Sequence, residues 1–105
     1  MSNYQIKYLK SFSSSLEDLV KNWRTELYFS DKQIGKFIKT IDNHIQLIRE
    51  IPFIHEDVAL IYGFDQPTYR FLIGKTYGIF YRVNEEKNVV YIGRIFSVKQ
   101  MKLDF

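Results

Sequence analysis

The spacing of apolar residues changes twice along this chain, and no other feature constrains its fold as strongly. Residues 4–9 alternate between apolar and polar side chains, which is the period of a strand with one buried face. From residue 13 to residue 50, apolar residues recur every three or four positions, as on one face of a helix. Residues 68–96 return to β-branched and aromatic runs separated by short polar turns. The predicted order of elements is therefore β-α-α-β-β-β.

Two helices are predicted in the central part of the chain. The first covers about residues 13–27 and has a capping-box residue, Ser15, at its start. The second follows a capping box formed by Ser30 and Gln33, and it ends just before Pro52, which cannot continue a helix. Its apolar face carries Ile34, Phe37, Ile38, Ile41, Ile45 and Ile48. Since only a few residues connect the two helices, they are expected to pack as an antiparallel hairpin.

The last third of the chain contains three predicted strands. They cover residues 68–73, 77–84 and 88–96. Together with the first strand they predict an α+β domain over residues 1–105, in which the helix hairpin packs on one face of a four-stranded, mainly antiparallel sheet. Residues 51–67 form a long connector, with a short helical turn expected near residues 56–61. Connectors of this length in a compact domain are often functional.

The turn between the last two strands decides which side chains share a face of the sheet. If residues 85–87 form a three-residue loop, Asn84 lies opposite Asn88 and Arg94 lies opposite Gly78. The face packed on the helices then carries Tyr77, Ile79, Tyr81, Val83, Val89, Tyr91, Gly93 and Ile95. The other face carries Gly78, Phe80, Arg82, Val90, Ile92 and Arg94. This register predicts an outer surface, free of the chain's own helices, with two arginines over an aromatic and aliphatic floor.

Further cations extend this predicted surface. Arg70 lies on the neighbouring strand, and Lys99 and Lys102 follow the last strand. Cations with aromatic side chains among them suit RNA phosphates and stacked bases, and they equally suit an apolar, acidic peptide segment. The chain has 15 Lys and Arg against 12 Asp and Glu, and a net charge of +3 permits such partners without requiring them. Strand arginines also serve simply to keep a sheet face soluble.

Composition excludes several classes of function. The chain has no cysteine, which rules out a disulfide framework, thiol catalysis and thiolate metal sites. Its two histidines, His44 and His55, lack the spacing of zinc ligands, so we expect neither a metal nor another cofactor. The adjacent pair His55 and Glu56 is more typical of a surface loop than of acid–base catalysis. With no signal-peptide pattern and no apolar run long enough to span a membrane, we expect a cytoplasmic protein without a membrane partner.

The last three predicted strands resemble the C-terminal block of the RelE/ParE toxin superfamily. The resemblance is carried by YRFLIG at 69–74, YGIFYRV at 77–83 and VVYIGRI at 89–95. Members of that superfamily typically read YR.L.....Y.IFYRV followed by V.I.RI, and the first strand and the helix hairpin fit the same layout. The resemblance implies the toxin of a type II toxin–antitoxin pair. Such a toxin is held inactive in a hetero-oligomer by a cognate antitoxin that wraps it and blocks its active surface.

The resemblance implies one of two cellular targets. RelE-like members cut mRNA on the ribosome without a metal, whereas ParE-like members poison DNA gyrase. Our first expectation is inhibition of translation by a metal-independent endoribonuclease; a gyrase inhibitor and a non-toxic antitoxin-binding module are the alternatives. For the nuclease, the implied catalytic residues are Arg82, Arg94 and Lys99, and the implied substrate-binding residues are Arg70, Tyr77, Phe80 and Lys102.

The match to the nuclease branch is incomplete at two places. Those enzymes carry an arginine directly after the tyrosine that opens the third strand of the sheet, and here Tyr77 is followed by Gly78. In the expected register, Arg94 would bring a guanidinium to nearly the same place. The nucleases also carry basic residues and a histidine or tyrosine just after the last strand, where this chain offers Lys99, Gln100 and Lys102 but no histidine or tyrosine.

Overall fold

The computed structural model describes residues 3–100 and 102–105 and shows an α+β fold. Its elements are β1 (Gln5–Tyr8), α1 (Lys10–Thr25), α2 (Asp31–Glu50), β2 (Glu56–Asp57), α3 (Ala59–Tyr62), β3 (Tyr69–Ile73), β4 (Tyr77–Asn84) and β5 (Val89–Ser97). The strands form one sheet in the order β1-β5-β4-β3-β2, with β1 parallel to β5 and all other neighbours antiparallel. The predicted fold class is confirmed, but the sheet has five strands rather than four. Two charged residues make up β2, and they carry no alternating pattern that could have predicted it.

Helix α2 begins and ends where the sequence predicted. The Ser30 side chain accepts a hydrogen bond from the Gln33 backbone N–H, and the Gln33 side chain accepts one from the Ser30 backbone N–H. This capping box satisfies two backbone donors that the first turn of a helix otherwise leaves without partners.

Replacement of Ser30 by alanine is expected to lower the free energy of unfolding by about 0.5–2 kcal/mol, because it removes this cap. Urea denaturation at fixed pH measures the change. Ser13→Ala is the matched control, since Ser13 is exposed within α1 and alanine is the better helix former there. Equal destabilisation by the two substitutions would contradict the capping role.

Helix α1 does not begin at the predicted position. It starts at Lys10, and its N-cap residue, Leu9, forms no side-chain cap. Ser15 is buried inside the helix, where its hydroxyl donates to the Phe12 carbonyl and accepts from the Ile95 backbone N–H. The predicted capping box at Ser15 was therefore wrong. The residue instead satisfies a backbone donor of β5 at a place where the helix packs on the sheet.

The register of β4 and β5 differs from the predicted one because the loop has four residues, 85–88. Asn84 pairs with Val89, so in the first half of β5 the residues that were expected on the outer face point towards the helices. Its inward residues are Val90 and Ile92 rather than Val89 and Tyr91. Asn88 adopts a left-handed conformation with φ of 53°, which closes this longer turn.

A β-bulge then reverses this one-residue shift. Tyr81 pairs with Ile92, but the next residue of β4, Phe80, pairs with Arg94, so Gly93 is the extra residue of β5. Beyond the bulge, Ile95 faces the helices and Arg94 faces away from them, as predicted. Phe96, and not Arg94, lies opposite Gly78. The expectation that Arg94 replaces an arginine at position 78 is therefore wrong.

The main core lies between the helix hairpin and the inner face of the sheet. Its buried members are Phe12, Ile41, Ile45, Ile48, Phe71, Ile73, Ile79, Tyr81, Val90, Ile92 and Ile95. Ile38, predicted to be on the buried face of α2, is 42% exposed and lines a groove with residues of α1 such as Leu16. Among the residues that the structure describes, no helix is long and apolar enough to cross a bilayer.

Candidate binding face of the sheet

The face of the sheet turned away from α1 and α2, called here the outer face, carries a small core of its own. Val58, Phe80 and Phe96 are buried there, and Tyr62, Phe64, Val98, Leu103 and Phe105 pack around them. The Tyr62 ring at the end of α3 meets the Phe80 ring edge-on, with 4.9 Å between centroids. The expectation that this face is free of the chain's own helices was therefore wrong. The outer face is covered by two segments of the chain whose sequences show no helical or strand periodicity.

The connector between α2 and β3 forms the first part of this cover. Asp57 holds its two ends together, because one carboxylate oxygen accepts hydrogen bonds from the Ala59 and Thr68 backbone N–H groups. The Val58 N–H also donates to the Thr68 carbonyl at 2.7 Å. Between these points α3 ends at Gly63, which has a left-handed φ of 75°. This closed loop brings Tyr62 over the outer face.

Residues 102–105, called here the closing segment, form the second part of the cover. The Phe105 ring lies directly against Gly93, where an added Cβ would come within 2.6 Å of the ring. The Ser11 hydroxyl lies within hydrogen-bonding distance of the carbonyl oxygens of Gly93 and Phe105. Arg94 Nε donates to the Asp104 carbonyl at 3.0 Å. The bulge glycine thus allows the close approach on which this segment depends.

Three arginines lie on the outer face, and the chain's own neutral groups hold each of them. Arg70 Nη1 donates to the Tyr62 hydroxyl at 2.9 Å. Arg94 donates to a backbone carbonyl of the closing segment, and Arg82 Nε donates to the Thr68 hydroxyl at 2.9 Å. Within the described part of the chain, the one ion pair joins Arg24 to Asp31 at the helix hairpin. The outer face therefore presents three arginines, and none of them forms a salt bridge with a carboxylate of the described residues.

Arg82 is the most constrained of the three. Its guanidinium carbon lies 3.9 Å from the centroid of the Phe105 ring and 5.4 Å from that of the Phe64 ring. Burial lowers the pKa of Arg82 below its ordinary value, and the nearby Asp65 carboxylate partly opposes this effect. Cation–π contacts of this kind favour one orientation of the guanidinium plane.

Position 78 has no room for a side chain. This is the position at which the ribosome-dependent nucleases carry an arginine and this chain has Gly78. It is buried beneath the Phe96 ring, and an added Cβ would lie 2.7 Å from the tip of that ring. Phe96 stacks in turn on Phe80, with 4.2 Å between ring centroids. A side chain at position 78 has no space unless this aromatic stack moves.

The remaining residues expected in the site are dispersed. Tyr77 lies on the helix side of the sheet, where its hydroxyl accepts a hydrogen bond from Trp23 Nε1 at 2.8 Å. Phe80 is on the outer face but fully buried, so it cannot stack on a base in this conformation. Lys99 and Lys102 are exposed beyond β5. The structure brings together Arg82 and Arg94 through the closing segment, whereas Tyr77 is separated from both by the sheet.

Sequence reasoning missed a groove at one end of the outer face. This groove has a volume of about 700 Å³ and is lined by Leu9, Gln66, Arg82, Val83, Asn84, Glu85, Glu86, Tyr91 and Phe105. Tyr91 pairs with Arg82 in the observed register, so the two side chains share the outer face. The expected register had turned Tyr91 to the core, and this is why the groove could not be anticipated.

A pair of histidines flanks Phe71 on the opposite face. The His44 ring stacks on Phe71 with 5.5 Å between centroids, and His55 contacts the same ring at 5.7 Å. Nε2 of His55 is buried, and no hydrogen-bond partner for it is found among the described residues. Residues 3–100 and 102–105 contain no cluster of three or more His, Asp or Glu side chains that could hold a metal ion.

The environment of His55 predicts a pH dependence of stability. Burial lowers the pKa of His55 below its usual value of 6.5, and the neighbouring His44 adds to this effect. The unfolded chain therefore binds a proton more readily at this residue than the folded chain does. The contribution of His55 to the free energy of unfolding is therefore complete above the unfolded pKa. It decreases as the pH falls below that pKa, and it is lost once the pH has fallen through the folded pKa.

We expect the free energy of unfolding to decrease between about pH 7.5 and pH 5.5, a window that lies above the titration of ordinary carboxyl groups. Urea denaturation at several pH values measures this slope. His55→Gln should flatten it, because glutamine does not titrate. An unchanged slope in the variant would show that His55 is not its source.

Comparisons with known proteins place the fold and the family. The fold matches a chain in the crystal structure of the toxin–antitoxin complex RelBE2 from Mycobacterium tuberculosis, with a TM-score of 0.59 and 14% sequence identity. The match covers 91% of this chain and 99% of that chain, and at this identity it establishes a shared fold. A search among curated proteins finds no significant relative.

The family model for the ParE toxin of type II toxin–antitoxin systems, parDE, matches residues 6–101. These residues include every helix and strand from α1 to β5 and nearly all of β1. The chain therefore belongs to the ParE toxin family of type II toxin–antitoxin systems.

Proposed function

We propose that this protein is a cytoplasmic, growth-inhibiting toxin that acts by binding a protein target of the DNA gyrase type, without cutting RNA. A cognate antitoxin neutralises it in a hetero-oligomeric complex. The observation that carries the proposal is the Phe96 ring packed over Gly78, which fills the place of the nuclease arginine. The match to the ParE family model supports the same branch.

The chemistry of RNA cleavage also requires groups that the residues expected in the nuclease site do not bring together. Cleavage needs a base for the ribose 2′-hydroxyl, a cation for the phosphate and an acid for the leaving oxygen. Arg82 and Arg94 supply only the cation, because arginine stays protonated near neutral pH. The Tyr77 hydroxyl is engaged by Trp23 on the far side of the sheet. The residues expected to form the nuclease site thus bring two cations together without placing a base and an acid beside them, which favours binding over catalysis.

Induction of the protein in bacteria, followed by two assays, tests this proposal. We expect growth arrest, inhibition of DNA supercoiling by purified gyrase, and mRNAs that remain intact within translated codons. Codon-phased 5′ ends would overturn the proposal in favour of the ribosome-dependent nuclease. Unimpaired growth would leave only an antitoxin-binding module, and growth arrest with active gyrase and intact mRNA would require another target.

Two arginine variants test the outer face itself. Arg94→Ala is expected to reduce growth inhibition more than Arg70→Ala, because the Arg94 side chain holds the closing segment over the face whereas the Arg70 guanidinium binds the Tyr62 hydroxyl. Both changes should shift the free energy of unfolding by only about 0.5 kcal/mol, as is usual for substitutions outside the core. Equal toxicity of the two variants would remove Arg94 from the functional surface.

A further inference from the structure

We infer that the Arg82 groove is a protein-docking site that receives one carboxylate side chain from an extended partner segment with apolar neighbours. The inference adds a binding site to the proposed function. It rests on that function in one respect, that the partners of the toxin are proteins. It assigns to Arg82 the role of an anchor for a single acidic residue. Leu9 and Phe105 supply the apolar walls for that residue's neighbours.

The first argument is that Arg82 is pre-organised. Its Nε is used by the Thr68 hydroxyl, and the Thr68 hydroxyl donates in turn to the Gln66 carbonyl at 3.0 Å. The Phe105 ring, stacked at 3.9 Å, fixes the plane of the guanidinium. Its two terminal Nη atoms have no hydrogen-bond or ion-pair partner among residues 3–100 and 102–105. A guanidinium fixed in this way presents two parallel donors, which is the geometry that a carboxylate accepts in bidentate fashion.

The second argument is that this cation is only partly solvated. Arg82 is half-buried between aromatic rings, and its lowered pKa follows from that burial. An arginine that has lost part of its hydration gains more from an ionic partner than an exposed one does, because the desolvation cost has already been met on one side. All three outer-face arginines are half-buried, and among the described residues Arg82 is the one whose guanidinium contacts two aromatic rings.

The third argument distinguishes a peptide from a nucleic acid. Glu85 and Glu86 form the rim of the groove, and both are exposed. A phosphodiester chain bound at Arg82 would bring repeated negative charges past these two carboxylates, which is unfavourable. A peptide with one glutamate or aspartate brings a single negative charge and so meets less of this repulsion. The Tyr91 side chain, the Gln66 amide and the NH₂ group of Asn84 can meet its backbone groups, whereas Oδ1 of Asn84 already accepts from the Lys87 N–H.

Nuclear magnetic resonance titrations of the isotope-labelled protein test the inference without gyrase. The probes are a capped peptide with one glutamate between leucines, the same peptide with glutamine, and an oligouridylate RNA. We expect the glutamate peptide to shift the Arg82 Nε–H and Tyr91 amide signals and to bind at least about tenfold more tightly than the glutamine peptide. Arg82→Lys should abolish this preference. The control is Arg49→Lys, an exposed arginine on α2 whose Nε also donates to a backbone carbonyl, and it should keep the preference.

Three outcomes would overturn the inference. They are equal affinity for the glutamate and glutamine peptides, shifts confined to residues outside the groove, and tighter binding of the RNA than of the glutamate peptide at the same signals. Because the first comparison uses the unmodified protein, it stays decisive even if Arg82→Lys fails to fold. If the protein selects the glutamate peptide but does not inhibit gyrase, the docking site stands and the proposed target is refuted. If it inhibits gyrase but does not select the glutamate peptide, the proposed target stands and the docking site is refuted.

Discussion

Phe71→Ala is expected to lower the free energy of unfolding by about 3–5 kcal/mol, the range typical for removing a buried aromatic ring. Phe71 lies at the centre of β3 and is fully buried. Its ring is enclosed by His44, His55 and Tyr81, whose ring centroids lie 5.5 Å, 5.7 Å and 6.1 Å away. Since these neighbours belong to α2, the connector and β4, they cannot collapse together into the space that the ring would leave. The loss of stability should therefore include most of the free-energy penalty for leaving an unfilled cavity.

Leu72→Ala is the matched control for Phe71→Ala, because it changes the next residue of the same strand. Leu72 points to the other face and is 45% exposed, so its truncation should cost about 1 kcal/mol or less. Urea denaturation followed by tryptophan fluorescence measures both variants, since Trp23 is buried in the fold. Similar losses for the two substitutions would show that Phe71 is not at the centre of the core.

The architecture was predictable because each main element has its own periodic signal. The capping box at Ser30 and the break at Pro52 defined α2, and β4 was predicted with its observed bounds. The errors arose where a single residue changes the register. Because the loop has four residues, the first half of β5 points the opposite side chains to the core from those predicted. The bulge at Gly93 restores the predicted orientation in the second half. No local pattern distinguishes a bulge glycine from an ordinary strand glycine.

The candidate site was less predictable than the fold, for a physical reason. That Arg82 and Arg94 lie on one face follows from alternation along the strands together with the bulge. The covering of that face depends on residues 51–68 and on the closing segment, whose positions are set by contacts between distant residues, such as those of Ser11 with Phe105 and of Asp57 with Thr68. Segments without a period give no sequence signal for where they pack. The Arg82 groove lies between these segments and was missed with them.

Gly78→Ala is expected to lower the free energy of unfolding by about 1–3 kcal/mol, because it overpacks a filled part of the fold. The added methyl group would lie 2.7 Å from Cζ of Phe96, and Phe96 cannot move freely because it is buried and stacked on Phe80. The matched control is Gly35→Ala in α2, where an added Cβ meets nothing within 4 Å. In that helix alanine should stabilise the protein by up to about 1 kcal/mol. The same chemical change is thus expected to have opposite signs at the two positions.

The double variant Gly78→Ala with Phe96→Leu identifies the cause of this loss. If the Phe96 ring excludes a side chain at position 78, the smaller leucine should relieve the clash. The combined cost should then be smaller than the sum of the two single costs by at least about 0.5 kcal/mol, as expected for residues in contact. Additive costs, or a Gly78→Ala variant as stable as the parent, would mean that position 78 has room for a side chain. The main structural objection to an RNA-cleaving site at this position would then be removed, because an arginine could be accommodated where the ribosome-dependent nucleases carry one.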